Sequence, residues 1–75
     1  MPRLPRITGQ ELAQVLKRLG FVEHRQKGSY LTLKHRQTGR RVVIPIHAHK
    51  ILAPKTLRSA IEEAGVNTET LEGQL

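Results

Sequence analysis

Between Ser29 and His47 the apolar residues fall on alternate positions. Leu31 and Leu33 come first, and Val42, Ile44 and Ile46 follow after Gln37-Thr38-Gly39. A repeat of two makes each segment an extended strand with one apolar side, and the Gly between them supplies the positive φ that a tight turn needs. The pattern therefore predicts an antiparallel hairpin with strands over Ser29–His35 and Arg41–His47. If both apolar sets share a core face, Tyr30, Lys34, Arg41 and His47 share the opposite, open face. Pairing about the turn also sets the start of one strand against the end of the other, which makes Tyr30 and His47 neighbours. Pro45 has no N–H to donate, so it marks an edge or the end of pairing.

Helical patterns flank the hairpin. Thr8-Gly9-Gln10-Glu11 reads as a capping box, with hydroxyl and carboxylate each satisfying the other's backbone N–H. Leu12, Val15, Leu16 and Leu19 then recur at helical spacing, Lys17 and Arg18 suit the C-terminal end of the dipole, and Gly20 can close the helix. A first helix over 8–19 follows. Phe21–Arg25 reads as a short strand and Gln26-Lys27-Gly28 as a turn. Pro54 suits a first helical position, Leu57, Ala60, Ile61 and Ala64 repeat at helical spacing, and Gly65 ends the helix. Asn67 caps a last short turn through Leu71. The order is α-β-β-β-α, an α+β class with a three-stranded antiparallel sheet and two helices on one face. That arrangement resembles the double-stranded-RNA-binding fold. One domain is expected over residues 1–75, with its core at about 7–71.

With no cysteine, the chain has neither disulfide nor thiolate metal ligand, and its stability rests on packing. A cytoplasmic setting fits that composition. No apolar run approaches a membrane span, and MPRLPRITG lacks a signal-peptide core. The net charge is +7 and is unevenly placed. Residues 1–58 carry all thirteen Lys and Arg against Glu11 and Glu23 alone; residues 59–75 carry Glu62, Glu63, Glu69 and Glu72 and no base. A basic body of this kind implies a polyanion, nucleic acid first among them. One Phe, one Tyr and no Trp cannot build a base-stacking platform.

The stretch Arg25–Lys50 holds seven of the thirteen Lys and Arg, three of the four histidines and no acid. A merely soluble surface mixes signs, so Lys27, Lys34, Arg36, Arg40, Arg41, Lys50, Lys55 and Arg58 are candidates for a phosphate-tracking surface. Taken alone, Gly28-Ser29 reads as an ordinary hairpin turn, since Gly and Ser are default turn residues. His47-Ala48-His49 offers two histidines without a third ligand, which does not complete a zinc site, so neither metal nor cofactor is expected. His47, at a strand end on the open face, is the better candidate for acid–base chemistry; a solvated surface histidine is the alternative. His24 and His35 read as solvated strand positions.

Several of these features occur together in one known family. A capped first helix runs into Gly20-Phe21. Arg25-Gln26-Lys27-Gly28-Ser29 precedes a basic hairpin ending Val43-Ile44-Pro45-Ile46-His47, and Lys50, Thr56-Leu57-Arg58 and Ala64-Gly65-Val66 follow. From about Ile7 to Leu71 the chain resembles the HicA family of bacterial toxins. The resemblance implies a small ribonuclease with a double-stranded-RNA-binding-like fold that cleaves mRNA and is held inactive by a HicB-like antitoxin, with no membrane partner. It implies RNA-binding roles for Lys27, Gly28, Ser29, Lys34, Arg41, Lys50 and Arg58. In the family the residue after Gly-Ser is normally a catalytic histidine; here it is Tyr30, while His47 matches a second common histidine. A phenol keeps its proton at neutral pH, so it donates a hydrogen bond readily and is a poor base. Two outcomes follow. Either His47 acts as base with Tyr30 as donor, Lys27 and Arg41 holding charge and Lys50 assisting, or the protein binds RNA or its antitoxin without cutting. An adaptor for an acidic protein is a third reading.

Overall fold

Thr8 opens the first helix with both halves of the expected capping box. Its hydroxyl accepts from the Glu11 N–H, and the Glu11 carboxylate accepts from the Thr8 N–H at 2.9 Å. The computed structural model describes residues 4–75. Helix α1 spans Gly9–Arg18, strands β1, β2 and β3 span Phe21–Lys27, Tyr30–His35 and Arg41–Pro45, and helices α2 and α3 span Pro54–Ala64 and Thr68–Gly73. The strands form one antiparallel sheet in the order β1-β2-β3.

The alternation in the hairpin sorts the sheet as its sequence predicts. Leu31 pairs with Ile44 and Leu33 with Val42, all four are buried, and Ile46 packs half-buried beside them. These residues share one apolar cluster with Leu12, Val15 and Leu16 of α1, Leu57, Ala60 and Ile61 of α2, and Leu71 of α3. The helices thus lie on one face of the sheet, and no polar or charged side chain is buried among the described residues. The short C-terminal turn is a helix in its own right, capped by the Asn67 side chain on the Thr70 N–H and holding Leu71 in the core. The Pro-punctuated lead-in is tied down as well: Ile7 is buried, and its carbonyl accepts from the Leu52 N–H at 2.8 Å.

Boundaries shift by one or two residues. Strand β1 runs two residues beyond Arg25, so the turn falls at Gly28-Ser29 rather than at Gln26–Gly28. The third strand stops at Pro45, not His47, because Pro45 cannot donate and the chain then turns. One further ladder bond survives, from the Ile46 N–H to the Ser29 carbonyl at 2.6 Å.

His35 corrects an expectation. It is not a solvated strand position. Its Nε2 lies 3.0 Å from the Leu19 carbonyl oxygen, and its Nδ1 lies 3.1 Å from both the Gln37 and Thr38 N–H groups. Two N–H donors on Nδ1 require its lone pair, so the proton sits on Nε2 and is donated to Leu19. The ring also meets Phe21 edge-on, with centroids 4.9 Å apart. His35 thereby ties the end of α1 to the β2–β3 turn. Gly20 makes room for it: a Cβ there would come within 2.7 Å of Nε2, and its φ of 103° disfavours any side chain.

Candidate nucleic-acid interface

Strand β1 contains an irregularity on which the site depends. It pairs with β2 in step from Phe21 to Glu23, then skips His24, and resumes with Arg25 opposite Thr32. This β-bulge adds one residue and reverses the side-to-side parity of everything after it. Without it, Arg25 and Lys27 would share a side with Phe21 and Glu23, toward the helices. With it, Gln26 pairs with Leu31 on the helix side, and Arg25 and Lys27 move to the open face.

The open face then consists of three cross-strand rows. Lys27, Tyr30 and Pro45 form the row beside the Gly28-Ser29 turn; Arg25, Thr32 and Val43 form the next; Val22, Lys34 and Arg41 form the last. Four cations and no acid stand on this surface. Lys34 and Arg41 are direct cross-strand partners, an arrangement of like charges that works against sheet stability. Tyr30 and Val43 are 57% and 46% exposed, so they and Pro45 make an apolar corner inside the cationic band.

The expected site residues divide. Lys27, Tyr30, Lys34 and Arg41 share the open face, with Gly28 and Ser29 in the turn at its end. Tyr30 has Pro45, not His47, as its partner. His47 lies two residues on, exposed, in a turn closed by the Lys50 N–H on the His47 carbonyl at 3.1 Å. Both histidine and lysine therefore stand at the Tyr30 end of the sheet but beyond its ladder. Arg58 lies elsewhere, on α2 in the helix layer, near Leu4, Ile61 and Glu62. Arg40, another candidate for phosphate, donates instead to the Glu63 carbonyl at 3.2 Å, at the C-terminal end of α2. Arg25 was not among the expected ligands. No sequence signal finds it, because its face is set by the bulge.

Among the described residues no three His, Asp or Glu side chains converge as metal ligands. No helix among them is long and apolar enough to cross a membrane.

Fold and surface together define a small α+β protein that presents an acid-free, cationic sheet face with a tyrosine at one end. No curated protein gives a significant match to the chain. The family model described as HicA toxin of bacterial toxin–antitoxin systems matches residues 9–66, from the first residue of α1 to just past the end of α2. The chain belongs to the HicA toxin family.

Proposed function

We propose that the protein binds mRNA across its open sheet face and cleaves it there as a metal-independent endoribonuclease. The observation that carries this reading is the Lys34–Arg41 pair, with Arg25 and Lys27 on the same acid-free surface. Direct like-charge neighbours cost the folded state about 0.2–1 kcal/mol, and a bound phosphate offsets that cost by neutralising both.

The chemistry belongs at the Gly28-Ser29 end. His47 removes the proton from a 2′-hydroxyl, and that oxygen attacks the adjacent phosphorus. The bond to the 5′-oxygen breaks, leaving a 2′,3′-cyclic phosphate and a 5′-hydroxyl. Tyr30 donates its phenolic hydrogen to the departing 5′-oxygen, which leaves as the hydroxyl, and the proton held on His47 then restores the phenol. Lys27 stabilises the added negative charge, with Lys50 assisting from the turn. Arg41, two rows along the sheet opposite Lys34, holds a neighbouring phosphate instead. Gly28 and Ser29 offer backbone and hydroxyl donors, and Arg58 extends the phosphate contacts on the helix layer. The partner is a HicB-like antitoxin with an acidic surface that covers the cationic face, and the setting is the cytoplasm, where mRNA is found.

A second reading keeps the binding and drops the cutting, because Tyr30 stands where the family carries histidine. Incubating purified protein with RNA, with and without chelator, separates the two. Cleavage that survives chelation supports the enzyme. RNA that stays intact at high protein, despite a salt-sensitive complex, leaves a binding module.

A further inference from the structure

The helix layer does not cover the whole sheet. Between the flank of α1 and the helix side of β1 lies an open groove of about 700 Å³. We infer that this groove takes a nucleobase of the bound RNA and reads its identity. This rests on the RNA-binding reading of the open face and adds to it where sequence preference would come from.

The groove floor is apolar, formed by Leu31 and Ile46. Three glutamine amides stand around it: Gln10 and Gln14 from α1, and Gln26 from β1, whose Nε2 makes only a long 3.5 Å contact to the Gly28 carbonyl oxygen and keeps its own oxygen as an acceptor. The bulge at His24 is what turns Gln26 to this side. The charged groups present are already engaged. Glu23 is bridged by Lys17, and Glu11 is used by the capping box. A phosphate would meet two carboxylates and gain no free cation, so the groove disfavours an anion. What it offers is a greasy floor with neutral groups that each donate and accept at the rim. A nucleobase has the matching form, with apolar faces and an edge of donors and acceptors, and glutamine is a standard partner for such edges.

Position supports the same occupant. Gln26 and Lys27 are consecutive in a strand, so one faces the groove while the next faces the cationic side. The far edge repeats this: Ile46 and His49 line the groove, and Pro45 and Tyr30 pair on the open face. An RNA strand crossing the sheet end beside Gly28-Ser29 can hold its phosphate at Lys27 and drop the adjoining base beside Gln26. His49, with its φ of 59°, shapes that corner in a backbone conformation uncommon for a residue with a side chain.

The test uses the full chain and a pool of RNAs randomised at each position around the bound or cleaved step. The wild type is compared with Gln14→Ala/Gln26→Ala. Both positions are exposed, and thermal melting verifies that the double variant folds. The wild type is expected to prefer one base at a fixed position by about 5- to 150-fold. In the double variant that preference collapses toward unity because the preferred RNA loses its advantage, while affinity for RNAs without the preferred base, and the salt dependence, stay close to wild type. Titration of the wild type with the four nucleoside monophosphates, followed by NMR, should move the glutamine side-chain amide signals, most of all for the preferred base. A wild-type preference that survives in the variant, or no preference at all, overturns the groove assignment and leaves RNA binding standing. Loss of antitoxin affinity in the variant with RNA preference intact also overturns it, since the groove then serves the protein partner. A wild type that retains no RNA at low salt removes the groove and the RNA reading together.

Discussion

Single residues bear the proposed chemistry and the most exposed commitments of this fold. In the proposed site Tyr30 is a donor at the position where the resemblance implies a base. Tyr30→His should raise RNA cleavage on the order of 10²-fold if only that group is missing, since a positioned general acid or base contributes that much. A gel assay on a defined RNA decides it, and an unchanged rate would mean that the reacting atoms lie elsewhere. His47→Ala should remove whatever cleavage the wild type has while leaving RNA affinity within about two-fold, because the cationic rows are untouched. His35 does different work. With Nδ1 accepting two backbone N–H groups and Nε2 donating to Leu19, His35→Ala strands three backbone groups and one aromatic contact. The expected cost is about 2–3 kcal/mol, read as a drop in Tm, with no effect on RNA contacts. Nothing in the local sequence marks this histidine as structural. Its partners come from 16 residues earlier and from the following turn, and Gly20 gives only an indirect sign of the room it needs.

At the scale of elements, the hydrophobic periods were legible and the close approaches between elements were not. Leu31, Leu33, Val42 and Ile44 sort themselves to the core because a strand buries alternate positions, and the Thr8–Glu11 box and the Asn67 cap are local chemistry. Gly9 shows the limit. As sequence it is a neutral first-turn residue. In the fold it abuts the end of β3, and a Cβ would collide with the Pro45 carbonyl oxygen and press on Ile44 and Ile46. Gly9→Ala should therefore destabilise by about 1–3 kcal/mol despite alanine's better helix propensity, and denaturant unfolding would show it. Strand β3 ended early for a similar reason: the period continues through Ile46, but Pro45 removes the donor that pairing requires. The alternation thus gives the hairpin and the open face of Tyr30, Lys34 and Arg41, but Tyr30 pairs with Pro45, two residues short of His47.

Across the whole molecule, a slab of 32 × 27 × 18 Å has helices on one side and four unopposed cations on the other. Their sum should set the salt dependence of RNA binding. Four phosphate contacts on a single strand predict a log–log slope near about −3, flattened by about 0.7 for each cation removed. Lys34→Thr tests stability and binding at once. It relieves the like-charge pair, so the protein should become more stable by about 0.2–1 kcal/mol while its RNA affinity falls. A variant that loses both, or gains both, would contradict the assignment of that row to a phosphate. The antitoxin should bind the same surface with an association rate that drops steeply as salt rises.

The extra residue at His24 acts as a reading-frame switch for side chains. Drawn into the ladder opposite Thr32, it would make every β1 residue beyond it trade sides, with Arg25 and Lys27 turning toward the helices and Gln26 toward the open face. Deleted, it would leave a regular ladder with Arg25 still opposite Thr32 and both surfaces intact. A single missing codon there would therefore cost the strand its kink and leave the net charge, the turn signals and both surfaces of the edge strand in place. The register of Arg25, Gln26 and Lys27 against Thr32, Leu31 and Tyr30, with the extra residue looped out or absent, is what a functional homologue would have to keep.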